Sequence, residues 1–240
     1  MDLTWPFLFP LGIVAALAIV QSMFGVGLLV FGTPTLLLAG FPFDRALALL
    51  LPASATISAA QLWQIRDRRL VQSSYLAWTV PCVAITLAVV LHYELRLDLK
   101  RLVGGLLLVT AMLRWSPPIQ LALRAGLVRH QRAYLLAMGI VHGACNMGGG
   151  LLTLFATALH PTKEAARANI AAIYLAFASI QLTVLATLKP SVFDALCGCT
   201  PLMALVSYTI GNRLFRLSSP VSYQSMLSVI MLLYGTVLLF

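Results

Sequence analysis

Two glycine-rich breaks inside apolar stretches hold the residues best suited to chemistry. The first is Gly25-Val26-Gly27; the second is Asn146-Met147-Gly148-Gly149-Gly150. If each break starts a short half-helix, over 28–39 and 151–159, the N-terminus of that half-helix offers unpaired N–H groups and about half a positive charge. Glycine lets a ligand come close to the backbone. Two such ends converging from opposite sides form an anion site that needs no buried lysine or arginine. The competing reading is that the glycines only let helices pack closely. Recurrence of the cluster in both halves favours the site.

The candidate binding residues are Gly25, Gly27 and Thr33 at the first break, and His142, Asn146, Gly148, Gly149, Gly150 and Thr153 at the second, joined by Arg167 and Asn169 downstream. Asn146 stands out, because its amide cannot be satisfied by its own helix if the helix stops there. Gln21, Ser22, Ser54, Ser58, Gln61, Tyr174 and Gln181 are further polar residues that could line the site. Hydroxyls in such segments commonly bond back to their own helix. His142 is the one titrating group at depth, although a lone histidine there is more often a hydrogen-bonded packing residue. Arg167 either pairs with Glu164, at i−3, or guards a cavity mouth. Asp44, Asp67, Glu94, Asp98, Glu164 and Asp194 all fall near segment ends. A carboxylate proton relay and a carboxylate cation site are therefore not expected. Cys82, Cys145, Cys197 and Cys199 lie in apolar segments without ligand spacing, so neither a metal nor a cofactor is expected. His142, Cys145 and Asn146 keep an intramembrane enzyme as an alternative, beside a non-transporting assembly subunit. No GxSxG, HExxH or paired carboxylates support the enzyme.

The elements that must position these residues are membrane helices. The composition is 60% hydrophobic and 10% charged with a mean hydropathy of +0.94, the profile of a polytopic membrane protein. The N-terminus lacks a basic region, so a removable signal peptide is not expected. A net charge of +9 would suit nucleic acid, but the basic residues fall in short loops between spans, as the positive-inside rule demands, and nucleic acid is not an expected partner. The partners expected are the lipid bilayer and a small anion, with a second copy of the chain left open. Apolar segments run over 8–39, 46–65, 75–93, 99–115, 133–159, 165–188, 192–212 and 222–240. The first would be about 48 Å long as a straight helix, at about 1.5 Å per residue. Fitting it into a core of about 30 Å requires a tilt of about 50°, beyond the usual range, so it must break. In the second interrupted segment, three successive glycines cost about 1 kcal/mol each against helix.

Duplication follows from comparing the halves. Gly25-x-Gly27-Leu28-Leu29 aligns with Gly148-x-Gly150-Leu151-Leu152, and Pro42-x-x-x-Ala46 with Pro161-x-x-x-Ala165. The predicted fold is all-α and polytopic, with two inverted repeats, each an interrupted or re-entrant segment plus three transmembrane helices. The first repeat takes in 1–115, a basic cytoplasmic loop 116–132 connects, and the second takes in 133–240. Charge counting separates two topologies. If both interrupted segments cross, lysine and arginine divide eight to eight; if both return as hairpins, they divide five to eleven. The positive-inside rule selects the hairpins, with the 66–69, 114–132 and 213–216 loops cytoplasmic and both termini outside.

Taken together these motifs resemble the sulfite exporter TauE/SafE family of membrane permeases. The resemblance rests on the glycine cluster early in each half, Pro34, the Gly40-Phe41-Pro42 turn, the basic Arg66–Arg69 loop, and Lys163-Glu164-Ala165-Ala166-Arg167-Ala168-Asn169. It implies transport of small sulfur-containing anions such as sulfite or organosulfonates across a cell membrane, the bacterial inner membrane being the expected one. Gly25-Val26-Gly27 is a thinner glycine run than the family's usual one. Export is the expected direction. One charge is worth about 2.3 kcal/mol per 100 mV, so a monoanion leaves a cell at about −150 mV with about 3.5 kcal/mol in its favour.

Overall fold

A computed structural model describes residues 5–65, 72–95, 99–115, 117–160 and 162–239. Arg66, Arg68, Arg69, Arg96 and Pro161, used above for topology and for the repeat, lie outside them. The described residues are 89% helix and include no strand, which makes the fold all-α. In order come α1 (Trp5–Phe24), a π-helical turn (Leu28–Gly32) running into α2 (Thr33–Leu38), α3 (Phe43–Gln64), α4 (Leu76–His92), α5 (Leu99–Trp115), α6 (Pro117–Arg129), α7 (Gln131–Cys145), α8 (Gly149–Leu159), α9 (Lys163–Leu188), α10 (Ala195–Leu217) and α11 (Pro220–Leu239). By length and apolarity α3, α9 and the 221–239 stretch of α11 can each cross a membrane.

Both interrupted segments reverse direction rather than continue. α1 stops at Phe24, and Gly25 takes φ +82°, the left-handed region that glycine enters without strain. The chain then doubles back so tightly at Gly27 that a Cβ there would lie 2.6 Å from the Gln21 backbone nitrogen and 2.9 Å from the Leu17 carbonyl oxygen. The same device recurs 121 positions later. α7 stops at Cys145, Asn146 takes φ 59°, which asparagine tolerates, and a Cβ on Gly148 would lie 2.8 Å from that of His142. Tyr134 of α7 donates to the Leu151 carbonyl at 2.8 Å and stacks on Phe155 of α8, so α8 runs back along α7. Each returning half-helix, Leu28–Leu38 and Gly149–Leu159, has 11 residues. That is about 16 Å, half the apolar core.

The geometry corrects the alignment made from sequence. Gly25 is the counterpart of Asn146, and Gly27 of Gly148, rather than Gly25 of Gly148. Matching glycine to glycine shifts the register by two, because an asparagine fills one of the two left-handed positions. Gly149 and Gly150 lie inside the first turn of α8, which therefore starts two residues before the expected 151.

Packing around the hairpins is paired. α1 lies on α10 and α7 on α4; α3 lies on α10 and α9 on α4; α3 contacts α9, and α5 contacts α11. Exchanging α1 with α7, α3 with α9, α4 with α10 and α5 with α11 leaves these contacts unchanged, but α1 also packs on α3 without an equally extensive contact of α7 with α9. Each half-helix rests on a helix from the opposite half. Phe31 meets Tyr234 of α11 at 4.6 Å, while Gly150 lies against Leu107 and Thr110 of α5. Small residues set the closest approaches, as expected where lipid removes any hydrophobic drive between helices. A Cβ on Gly139 or Gly143 would come within 2.7 Å of an α4 carbonyl oxygen, and one on Gly104 or Gly235 would meet the other's carbonyl at 3.0 Å.

The 116–132 stretch, read from sequence as a connecting loop, contains α6. Pro117 and Pro118 suit a first helical turn, and Leu127 is buried where α6 packs against α5, α7 and α8. Its basic residues hid that helix in the charge pattern.

Candidate functional site

The first break is closed by side chains. Gln21 lies one turn before the end of α1. Its Nε2 donates to the Ser54 carbonyl at 3.1 Å and to the Ser54 hydroxyl at 2.9 Å, while its Oε1 accepts from the Leu28 N–H at 3.3 Å. Gln61 donates to the Gln21 and Ser22 carbonyls at 3.1 and 3.0 Å. Arg167 donates to the Ser22 carbonyl at 3.0 Å and to Asn212 Oδ1 at 3.1 Å, with its guanidinium stacked 3.6 Å from the Phe215 ring centre. Tyr223 donates to the Phe24 carbonyl at 3.0 Å. The backbone groups that a broken helix leaves without partners are thus taken up at the end of α1 and the start of the half-helix, and Gln61 Oε1 is the one buried side-chain atom of this network left without a partner.

The second break is much less fully closed. Asn146 Nδ2 donates to Thr33 Oγ1 at 2.8 Å, and His142 Nε2 lies 3.3 Å from Gln181 Oε1. Around those two bonds, Asn146 Oδ1, His142 Nδ1, Tyr174 Oη and Gln181 Nε2 are buried without a hydrogen-bond partner. They form one cluster. His142 and Asn146 are one turn apart, the His142 and Tyr174 rings are 5.8 Å apart, and the Tyr174 hydroxyl occupies the space that a Cβ on Gly149 would take. A Cβ on Gly149 would also lie 3.0 Å from Val30, which brings the first half-helix beside the start of α8. A buried polar atom without a partner costs about 1–3 kcal/mol, so this cluster is where the chain leaves the most hydrogen-bonding capacity unused.

The predicted residues divide accordingly. Thr33, His142, Asn146, Gly148 and Gly149 meet at the second break, with Gly150 in the same turn of α8. Gly25 and Gly27 form the first break, and Arg167 joins them, donating to Ser22 and Asn212, while Glu164 has Lys163 as its nearest cation, at 4.0 Å. Thr153 donates to the Gly150 carbonyl within its own helix. Asn169 faces away, accepting from the Gln72 N–H at 2.9 Å and donating to the Ala165 carbonyl. The Cys145 thiol bonds back to the Val141 carbonyl. Tyr223 escaped the sequence reading altogether, since nothing local marks a tyrosine whose partner is 199 residues away. Gln21 and Gln61 were visible as polar residues in apolar helices, but not their task of closing a break.

A family model described as Sulfite exporter TauE/SafE matches residues 8–238 of the chain, taking in both breaks and the helices around them. No curated protein and no solved structure matches it.

Proposed function

The chain belongs to the sulfite exporter TauE/SafE family, and from that premise we propose that it carries sulfite or a small organosulfonate out of the cell across the bacterial inner membrane. The observation that carries the binding site is the cluster of unpartnered polar atoms at the second break. The Tyr174 hydroxyl and Gln181 Nε2 are donors. Turned over, the Asn146 amide accepts from Thr33 and presents its Nδ2 as a third donor. The N-terminal turn of α8 adds backbone N–H groups and about half a positive charge. Arg167, tied to the end of α1, contributes no direct contact to the anion. A site built of neutral donors holds a monoanion firmly enough to desolvate it and weakly enough to release it. The potential supplies the drive, and no group here is needed for a coupled proton.

We read 1–115 and 133–240, joined by 116–132, as inverted repeats. Two features support this: the hairpins approach one another through Asn146–Thr33 and Val30–Gly149, and most of the main helix contacts, though not that of α1 with α3, survive exchange of the halves. Alternating access would then rock one half against the other around the second break. The test is sulfite efflux from proteoliposomes, with the potential set by a potassium gradient and ionophore. Voltage-dependent efflux above that of empty vesicles is expected. Its absence from folded protein, for sulfite and for a panel of sulfonates, would overturn the reading.

A further inference from the structure

A second cavity, of about 290 Å³, lies at the far end of α8, between the α6–α7 junction and the Ser73–Tyr75 turn. Its polar wall is Gln72, Tyr75, Arg124, Gln131 and His160, with Val128 and Leu159 as its apolar part. The eleven-residue α8 separates it from the cluster at the second break by about 16 Å, so it is a distinct site.

Its chemistry selects for an anion. Arg124 is exposed and forms no ion pair among the described residues. His160 has its Nε2 buried without a partner. Tyr75 and Gln72 bond each other and so brace one wall. From residue 99 to residue 163 the sequence has no aspartate or glutamate, so α6, α7 and α8 bring no negative charge to this end. Glu164, the nearest acid to follow, is exposed and has Lys163 beside it. The space is more than twice what a bare inorganic oxyanion needs, at about 30 Å³ per water-sized group. Val128 and Leu159 offer the remainder to an apolar tail.

We propose that this cavity is a peripheral site for a small organic sulfonate, with the anionic head on Arg124 and His160 and a short alkyl tail on Val128 and Leu159. The inference rests on the carrier reading for its substrate class, but its site is separate. Titration calorimetry of the purified protein with ethanesulfonate tests both at once. Two sites are expected in the wild type. Arg124→Gln should lose one of them, with affinity there weakened at least tenfold, while Arg124→Lys, which keeps the charge, should retain it. Asn146→Gly should lose the other and leave the Arg124-dependent site intact. One Arg124-dependent site, unaffected by Asn146→Gly, would remove the central site and keep the peripheral one. Identical binding by wild type and Arg124→Gln would overturn the proposal, as would no binding at all. So would mass spectrometry finding phosphatidylglycerol retained by the wild type and absent from Arg124→Gln, which would make the cavity a lipid phosphate site.

Discussion

The two breaks share a backbone and differ in what surrounds it. Each ends a helix at a left-handed residue, Gly25 or Asn146, and presses a glycine, Gly27 or Gly148, against the residue one turn before that end. At the first break that residue is Gln21, and with Gln61, Arg167 and Tyr223 it occupies the freed backbone groups, leaving Gln61 Oε1 as one buried atom without a partner. At the second it is His142, whose surroundings leave four polar atoms without partners. A hairpin closed from within is a fixed support. A hairpin with open valences is where a ligand completes the bonding. The difference lies in side chains, since the backbone device is common to both.

The comparison breaks most sharply if matched substitutions do the same thing at both sites. Gly27→Ala sets a Cβ against rigid backbone, so the expected outcome is loss of folded protein, read as yield and monodispersity on size-exclusion chromatography. Gly149→Ala meets a tyrosine hydroxyl and a valine methyl, both able to shift. Folded protein should be recovered with sulfite efflux reduced more than tenfold, and Tyr174→Phe in the same chain should restore part of the packing. Equal loss of fold in both variants would erase the distinction.

A gentler pair sharpens it. Tyr174→Phe removes a hydroxyl that has no protein partner, so the melting temperature should hold while the KM for sulfite rises about tenfold, the worth of one hydrogen bond to an ion at about 1.5 kcal/mol. Tyr223→Phe strips the Phe24 carbonyl of its donor, and should cost about 1–3 kcal/mol of stability with KM unchanged. Asn146→Gly converts the second left-handed position to the residue found at the first. The backbone accepts it, so the expected result is lost flux with little loss of stability. The melting temperatures and KM values of these three variants decide the matter.

Much of this architecture was legible in the sequence. Apolar segment lengths located the helices to within a few residues, and the excess length of the first segment required its break. The chain also turns back at both breaks, where the glycine clusters stand. Three things were not legible. α6 was hidden by its arginines. The match between the two breaks is hidden because asparagine stands where the other break has a left-handed glycine. The asymmetry between the breaks was out of reach because it depends on distant pairings. Gln61 meets Gln21 across 40 positions and Tyr223 meets Phe24 across 199. Spacing along a chain carries no information about which amide will be spent on closing a helix end and which will stay open.

The smallest effect concerns the outer end of the first hairpin. Arg45, at the start of α3, donates to Asp194 at 2.5 Å and to the Val192 carbonyl at 2.7 Å, tying the two halves together beyond the first half-helix. The corresponding end of α8 has the Arg124 cavity instead. The Arg45 guanidinium and the Cys197 N–H hold the Asp194 carboxyl down, to about 2. A carboxylate whose value falls on folding contributes its stability above its unfolded value, near 3.8, and loses it as pH drops through about 2. Asp194 is well exposed, so solvent screening limits the contribution to about 1 kcal/mol or less. Asp194→Asn should therefore melt slightly lower than the wild type at pH 6, with the gap steady down to about pH 4 and closing by about pH 2. A gap that persists at the lowest pH would mean that the asparagine disturbs the cap on α10, where Asp194 accepts from the Cys197 N–H, more than the ion pair. The first hairpin would then be anchored there by helix capping rather than by charge.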